Sequence, residues 1–227
     1  MKITFLGHAA LLVEDINFKA LIDPYLTGNP LYKKNRYDIE GVTHIFITHG
    51  HRDHVGDALD IANANDALII SNAELASAFH QHDKELKLHP MHIGGSFTFP
   101  FGRVKMTPAV HGSSYQDEHG SHDGGNPGGF LITINGKTLY HAGDTGLIMD
   151  MQLLADEHVD VAFLPIGGNY TMDIKDAVKA VTFIKPKQVV PMHYNTFPLI
   201  KADPEEFRAK VKDATVVILQ PRDSIKI

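Results

Sequence analysis

Residues 44–54 read His44-Ile45-Phe46-Ile47-Thr48-His49-Gly50-His51-Arg52-Asp53-His54. A short apolar run with strand character passes directly into a glycine-containing loop that carries three imidazoles and a carboxylate. A loop of this kind folds His49 and His51 toward one point while Asp53 and His54 face a second point a few ångströms away. That division suits two metal ions rather than one.

Composition limits the chemistry around this string. The chain has 227 residues with 43% hydrophobic content, enough for a sizeable core. It contains no cysteine, which removes disulfides, thiolate ligands and thiol nucleophiles together and leaves imidazole nitrogen and carboxylate oxygen as the donors for a metal. A formal net charge of -6, with no long Lys/Arg run, argues against a nucleic-acid partner. No stretch reaches the roughly 18 apolar residues that a membrane span requires. The first residues, Met1 to His8, carry one basic group and no small-residue cleavage site, so a cytoplasmic location is expected. A small molecule is the expected partner, and homo-oligomerisation is left open.

The flanking sequence alternates in a regular way. Residues 2–6, 10–14 and 18–22 read as a meander of short strands, the last two turning at Asp15-Ile16-Asn17. After the strand that feeds His49, residues 55–64 have helical spacing, 67–71 form a strand and 73–82 a helix. Residues 96–110 and 129–141 return to hairpin-like strands, the second pair turning at Asn135-Gly136. Helices over 151–158, 174–184 and 204–212 are each followed by an apolar strand, at 159–164, 188–191 and 215–219. The order, β-rich and then alternating, occurs twice and predicts two sheets from related halves, with helices outside both. Residues 115–129 read as a polar, glycine-rich loop that covers or borders a site.

Three further donors end apolar runs: His111, Asp144 and His193. Ligands at strand ends converge on one edge of a sheet. The arithmetic then gives His49, His51 and His111 to one ion and Asp53, His54 and His193 to the other, with Asp144 bridging. Water held between two divalent cations loses a proton near neutral pH and becomes a hydroxide nucleophile, and Asp53 can accept the remaining proton. His8 ends the first strand and is a candidate acid or hydrogen-bond donor to substrate. Asp23 ends the third and is a candidate for orienting a ligand imidazole through its other ring nitrogen. Asn169 and Thr171, in a Gly-Gly loop entering a helix, and Asn195, beside His193, are candidate substrate contacts. His141 reads as support for the site, and His80, His82, His89, His92, His119 and His122 as surface residues.

These residues resemble the metallo-β-lactamase superfamily, through the His-x-His-x-Asp-His string at 49–54 followed by His111, Asp144 and His193. Gly7-His8-Ala9, Ile22-Asp23-Pro24, Gly167-Gly168 with Thr171-Met172, and the run from His193 to Phe197 are similar to the UlaG-like branch, the ascorbate-6-phosphate lactonase relatives. The resemblance covers nearly the whole chain. It implies one α/β domain over residues 1–227, a four-layer αββα sandwich of two mixed sheets with helices on both outer faces and a dinuclear centre at one edge. It also implies a metal-dependent hydrolase acting on an ester, lactone or phosphoester-type substrate, with Zn2+ as the expected ion and Mn2+ as the other metal of such sites. A phosphodiesterase or nuclease of the same fold and a non-catalytic metal-binding protein are the competing readings. Basic residues that a sugar phosphate calls for are not evident near these motifs.

Overall fold

The computed structural model describes residues 1–227. The chain opens with a meander of β1 (Lys2–Gly7), β2 (Ala10–Asp15) and β3 (Phe18–Ile22), then the one-turn helix α1 (Arg36–Ile39). Alternation follows, through β4 (His44–Phe46), α2 (Arg52–Val55), α3 (Ala58–Asn65), β5 (Leu68–Asn72), α4 (Ala73–His82) and β6 (Lys87–Met91). The second half comprises β7 (Ser96–Phe99), β8 (Gly102–Pro108), the hairpin β9 (Ser114–Asp117) and β10 (Gly120–Asp123), β11 (Gly128–Ile134) and β12 (Lys137–His141). It ends with β13 (Val161–Pro165), α5 (Ile174–Ile184), β14 (Gln188–Met192), α6 (Pro204–Lys210), β15 (Thr215–Val216) and β16 (Ser224–Lys226), with 3-10 turns at Met149–Glu157 and Pro198–Ile200.

Two seven-stranded sheets result, in the orders β16-β1-β2-β3-β4-β5-β6 and β15-β14-β13-β12-β11-β8-β7. In each, an antiparallel meander gives way to a parallel run, from β3 to β6 in the first and from β12 to β15 in the second. The doubled order in the sequence is thus a doubled topology. Parallel strands need helical crossovers, and the crossovers cover the outer faces.

That covering explains why the strands are apolar throughout instead of alternating. Leu11, Val13, Ile22, Phe46 and Ile70 point between the sheets and join a cluster of 40 buried residues that includes Phe130, Ile132 and Leu139 of the opposite sheet. Their alternates Leu12, Leu21, Ile45 and Ile69 point outward into a cluster of 19 with Ile61, Leu75 and Phe79 of α3 and α4. On the far side Ala177, Val181 and Ile184 of α5 and Phe207 of α6 seal the second sheet. The layering is αββα. No helix is long and apolar enough to cross a membrane.

Local departures have local causes. The helix expected over 55–64 begins only at Ala58, as α3, because the chain turns at Gly56 after α2. The φ of Gly56 is 45°, and a Cβ there would lie 2.5 Å from the Pro24 carbonyl oxygen. Residues Met149–Glu157 wind as a 3-10 helix rather than an α-helix. Strand β6 carries Pro90 at a sheet edge, which masks it as a strand in sequence. The polar segment expected as a loop over 115–129 contains the β9–β10 hairpin, with Ser121 opposite Gln116. Tyr115 packs its ring 5.1 Å from Phe79, which fixes the hairpin against α4.

Candidate metal centre

Both sheets deliver polar side chains to one shared edge. In the first sheet β1 runs into His8, β3 into Asp23, and β4 through Thr48 into the loop and short helix α2 that hold His49 to His54. In the second, His111 follows β8, Asp144 follows β12 and His193 follows β14. The carboxyl ends of parallel strands form a crevice where a sheet changes direction, and here two such edges face each other. The His193 amide donates to the His8 carbonyl at 2.9 Å, joining the sheets backbone to backbone. His141, fully buried, makes a second tie: Nε2 donates to the Ala9 carbonyl at 2.9 Å while Nδ1 accepts from the Gly143 amide at 3.1 Å. Burial lowers its pKa and keeps the ring neutral, as that bonding requires. It thereby ties the strand end that precedes Asp144 to the opposite sheet.

Backbone conformation at these strand ends is costly. His8, Asp23 and His193 have φ of 60°, 46° and 53°, in the left-handed region that non-glycine residues avoid. Each costs on the order of 1–3 kcal/mol, a strain that concentrates at functional sites. Gly50 meets a different need. A Cβ there would lie 3.0 Å from the Ser114 carbonyl, so glycine lets the hairpin approach without displacement while the Gly50 amide donates to Ser113 Oγ at 3.1 Å. The polar segment therefore borders the site by bracing the loop beneath it.

The donor atoms converge in overlapping groups. One ring nitrogen each from His49, His51 and His111 lie within 4.8 Å of one another, and so do donor atoms of His8, Asp53, His54 and His193, and of His49, His54 and Asp144. Asp144 faces both sides. Its Oδ1 is 3.4 Å from His54 Nε2, and its Oδ2 is 3.0 Å from His193 Nε2 and 3.5 Å from His111 Nε2.

Three observations show that these residues fit a cation. His51 Nδ1 lies 3.0 Å from His49 Nε2 and 3.2 Å from His111 Nε2, and three imidazole nitrogens cannot all be satisfied by each other's protons. His54 Nε2, Asp144 Oδ1 and both ring nitrogens of His193 are buried with no aligned hydrogen-bond partner, although opposite charges stand close by. Burial would raise the pKa of the Asp144 carboxyl, but the facing His193 and His54 overcome it and hold it well below the usual carboxylate range. Burial likewise opposes charge on His54, but Asp144 and Asp23 on either side press it well above the ordinary imidazole value. A cage that forces a positive charge onto an imidazole will accept a metal ion in the proton's place.

Outside the donors lies an orienting layer. Asp23 is fully buried, with Oδ2 2.8 Å from His54 Nδ1 and 2.7 Å from Thr48 Oγ1, and Oδ1 accepting from the Thr48 amide at 2.9 Å. The Thr48 hydroxyl donates to Asp23 and, at 3.0 Å, accepts from His49 Nδ1. One carboxylate thus turns both His54 and, through Thr48, His49 so that Nε2 points inward. Sequence reasoning named Asp23 and missed Thr48, although its hydroxyl immediately precedes His49. His8 is neutral, its pKa lowered to about 4 by burial and then by His193. Nε2–H donates to Asp53 Oδ2 at 3.2 Å, and Nδ1 accepts from the Thr196 hydroxyl at 2.9 Å. Burial would raise the Asp53 pKa, and the His8 hydrogen bond and the nearby imidazoles bring it below the ordinary value.

A cleft of about 550 Å³ opens onto the centre, its floor made by His51, Asp53, His111, Asp144 and His193. The opposite wall is Tyr170, Phe197, Pro198 and Leu199. Asn169, Thr171 and Asn195, the expected substrate contacts, are not among the residues that line this cleft. The Asn195 amide clasps the Ala202 backbone as both donor and acceptor, at 3.0 and 3.1 Å, and closes its own loop. Asn169 is exposed in the left-handed region, and Thr171 turns its hydroxyl to the Met172 carbonyl. Within the Gly-Gly loop the Gly168, Tyr170 and Thr171 amides donate to the Met172 and Gly168 carbonyls. Three residues assigned to the surface have partners: His82 lies 3.7 Å from Asp117, which His122 also holds at 2.8 Å, and His89 packs 4.6 Å from the Phe97 ring.

Comparison with known proteins agrees with this geometry. Residues 19–194 match the β-lactamase superfamily domain. The UPF0173 metal-dependent hydrolase of Alkaliphilus metalliredigens is 53% identical over 219 residues, covering 96% of each chain. That of Anoxybacillus flavithermus is 50% identical over 214 residues, covering 93% of this chain and 94% of its own. Among solved structures, Igni18, a novel metallo hydrolase from the hyperthermophilic archaeon Ignicoccus hospitalis, superposes with a TM-score of 0.89 at 39% identity, over 99% of this chain and 97% of that one. The diiron β-hydroxylase CmlA from Streptomyces venezuelae shares the fold alone, at 15% identity and a TM-score of 0.78 over 100% of this chain and 54% of its own. The His/Asp cluster, the αββα layering and these relatives converge: the chain belongs to the metallo-β-lactamase superfamily, as a metal-dependent hydrolase of the UPF0173 group.

Proposed function

We propose that the chain hydrolyses an ester, lactone or phosphoester-type bond at a dinuclear centre, with His49, His51 and His111 on one ion, Asp53, His54 and His193 on the other, and Asp144 shared. The observation that carries this reading is the Asp144 carboxylate, whose two oxygens address nitrogens of both sets. Zinc is the ion of first choice for an imidazole-rich, carboxylate-bridged donor set, with manganese second. When bound, such ions polarise the substrate's carbonyl or phosphoryl oxygen and make water acidic enough to attack at neutral pH.

The residues do the rest. Asp53, with 30% of its side chain exposed, orients the attacking water from the cleft floor and receives its proton. His8 holds the Asp53 oxygen by donating from Nε2, and Thr196 fixes the His8 tautomer by donating to Nδ1. Phe197, its ring 5.4 Å from that of His8, screens the pair from bulk water. In an ester the water oxygen bonds to the acyl carbon, the acyl carbon–oxygen bond breaks, and the leaving alcohol takes a proton.

The test is metal analysis together with a panel of lactone, thioester, phosphodiester and β-lactam substrates, assayed with zinc, with manganese and with no metal. About two ions per chain and metal-dependent turnover of one class are expected. Well under one divalent ion in unchelated protein, or activity indifferent to chelation, sinks the reading.

A further inference from the structure

The wall of the cleft is chemically unlike its floor. Tyr170 and Leu199 expose 52% and 63% of their surface where they line it, and Phe197 and Pro198 complete the same side. Val110, next to His111, is 62% exposed at the start of the turn that supplies that donor. Solitary exposed apolar residues need no explanation, but a contiguous set facing a catalytic centre marks a contact surface. The cleft is lined by no lysine or arginine, and its charged side chains are the two carboxylates and the imidazoles of the floor. A phosphate or carboxylate away from the reacting bond would therefore be desolvated with no cationic side chain to receive it. In the nearby Gly-Gly loop the Gly168, Tyr170 and Thr171 amides already donate to loop carbonyls, and no lysine or arginine of the cleft stands beside them.

We infer that the substrate is an uncharged carboxylic ester or lactone whose apolar chain lies along Tyr170, Phe197 and Leu199, and that these three residues set specificity by chain length. The inference rests on the hydrolase reading above and narrows it. Hydrolysis adds water across the acyl carbon–oxygen bond, giving a carboxylic acid and an alcohol. No co-reactant beyond water is consumed.

Binding provides a test that does not depend on turnover. Straight-chain alkyl hydroxamates of increasing length, titrated calorimetrically into the metal-loaded protein, should tighten about threefold for each methylene laid on the wall. L199S should flatten that series to less than about twofold per methylene, with metal content measured alongside. In parallel, kcat/KM for p-nitrophenyl esters should rise from acetate to octanoate. Affinity independent of chain length overturns the inference, as does a terminal carboxylate that tightens binding. A phosphodiester hydrolysed faster than every neutral ester also overturns it while leaving the hydrolase reading intact. If protein shown by analysis to carry its metal binds no hydroxamate of any length, the inference is overturned, whereas protein that cannot be loaded with metal fails the hydrolase reading itself.

Discussion

The floor and the wall of the cleft are built by different means. The donors sit at strand ends or in the loop and short helix that follow β4, four of the seven are buried, and Asp23, Thr48, His8 and a strained backbone orient them. The wall comes from two loops, residues 167–173 and 195–200, with side chains half exposed and held by their own turns. Reactive groups must be fixed to fractions of an ångström, whereas an apolar contact tolerates drift. The fold spends rigidity on chemistry and leaves selection to segments that can change without disturbing it.

The comparison breaks most severely at Asp144. Asp144→Ala removes the oxygens that address both donor sets, so metal content should drop at both positions and activity should fall by about 10³-fold or more. Elemental analysis beside initial rates checks this, and full metal retention would show that the sets are independent. Asp23→Ala tests whether an orienting layer is needed, since it frees both His54 and Thr48. A loss of about 10- to 100-fold in metal affinity is expected, measured by competition with a chromogenic chelator. His8→Ala separates positioning from binding: kcat should fall about 100-fold while metal content is unchanged, and the effect should be absent from metal titrations.

The smallest effect concerns the scaffold. His44, at the start of β4, is held neutral in the fold, its pKa lowered by burial to about 4. Unfolded, it titrates near the ordinary value of about 6.5. The unfolded chain therefore binds the extra proton between those values, so this contribution to stability is complete above about pH 6.5 and declines as pH falls toward about 4. Urea midpoints of metal-free protein at pH 7 and pH 5 should differ, and His44→Phe should narrow the gap. An unchanged gap would place the acid sensitivity at the floor instead.

Legibility followed the same division. The donors could be read because each is a rare residue type at the end of an apolar run, and because strand ends converge wherever parallel strands share a sheet. The twofold alternation gave the layering for the same reason, since buried parallel strands and their crossovers leave long-range periodicity. Local geometry was hidden. The tight approach of Gly56 to Pro24, which lies far off in sequence, separates α2 from α3, and the hairpin of residues 114–123 is polar apart from Tyr115 and so lacks a strand period. Thr171 and Asn195 had the right chemistry for substrate contact, but short polar side chains in turns tend to satisfy nearby backbone, as both do here. Tyr170, Phe197 and Leu199 offered no periodic signal at all.

The centre also straddles a seam. One sheet brings His8, Asp23 and the string from His49 to His54, and the other brings His111, Asp144 and His193, with the His193 amide and the His141 ring as the stitches between them. Neither half holds a full donor set before the halves have docked, so metal capture reports completed assembly. Once captured, an ion acts as a rivet across the joint. Chelation should accordingly speed hydrogen exchange first at the Gly143 and His193 amides along that joint, while the sheet interiors on either side keep their protection.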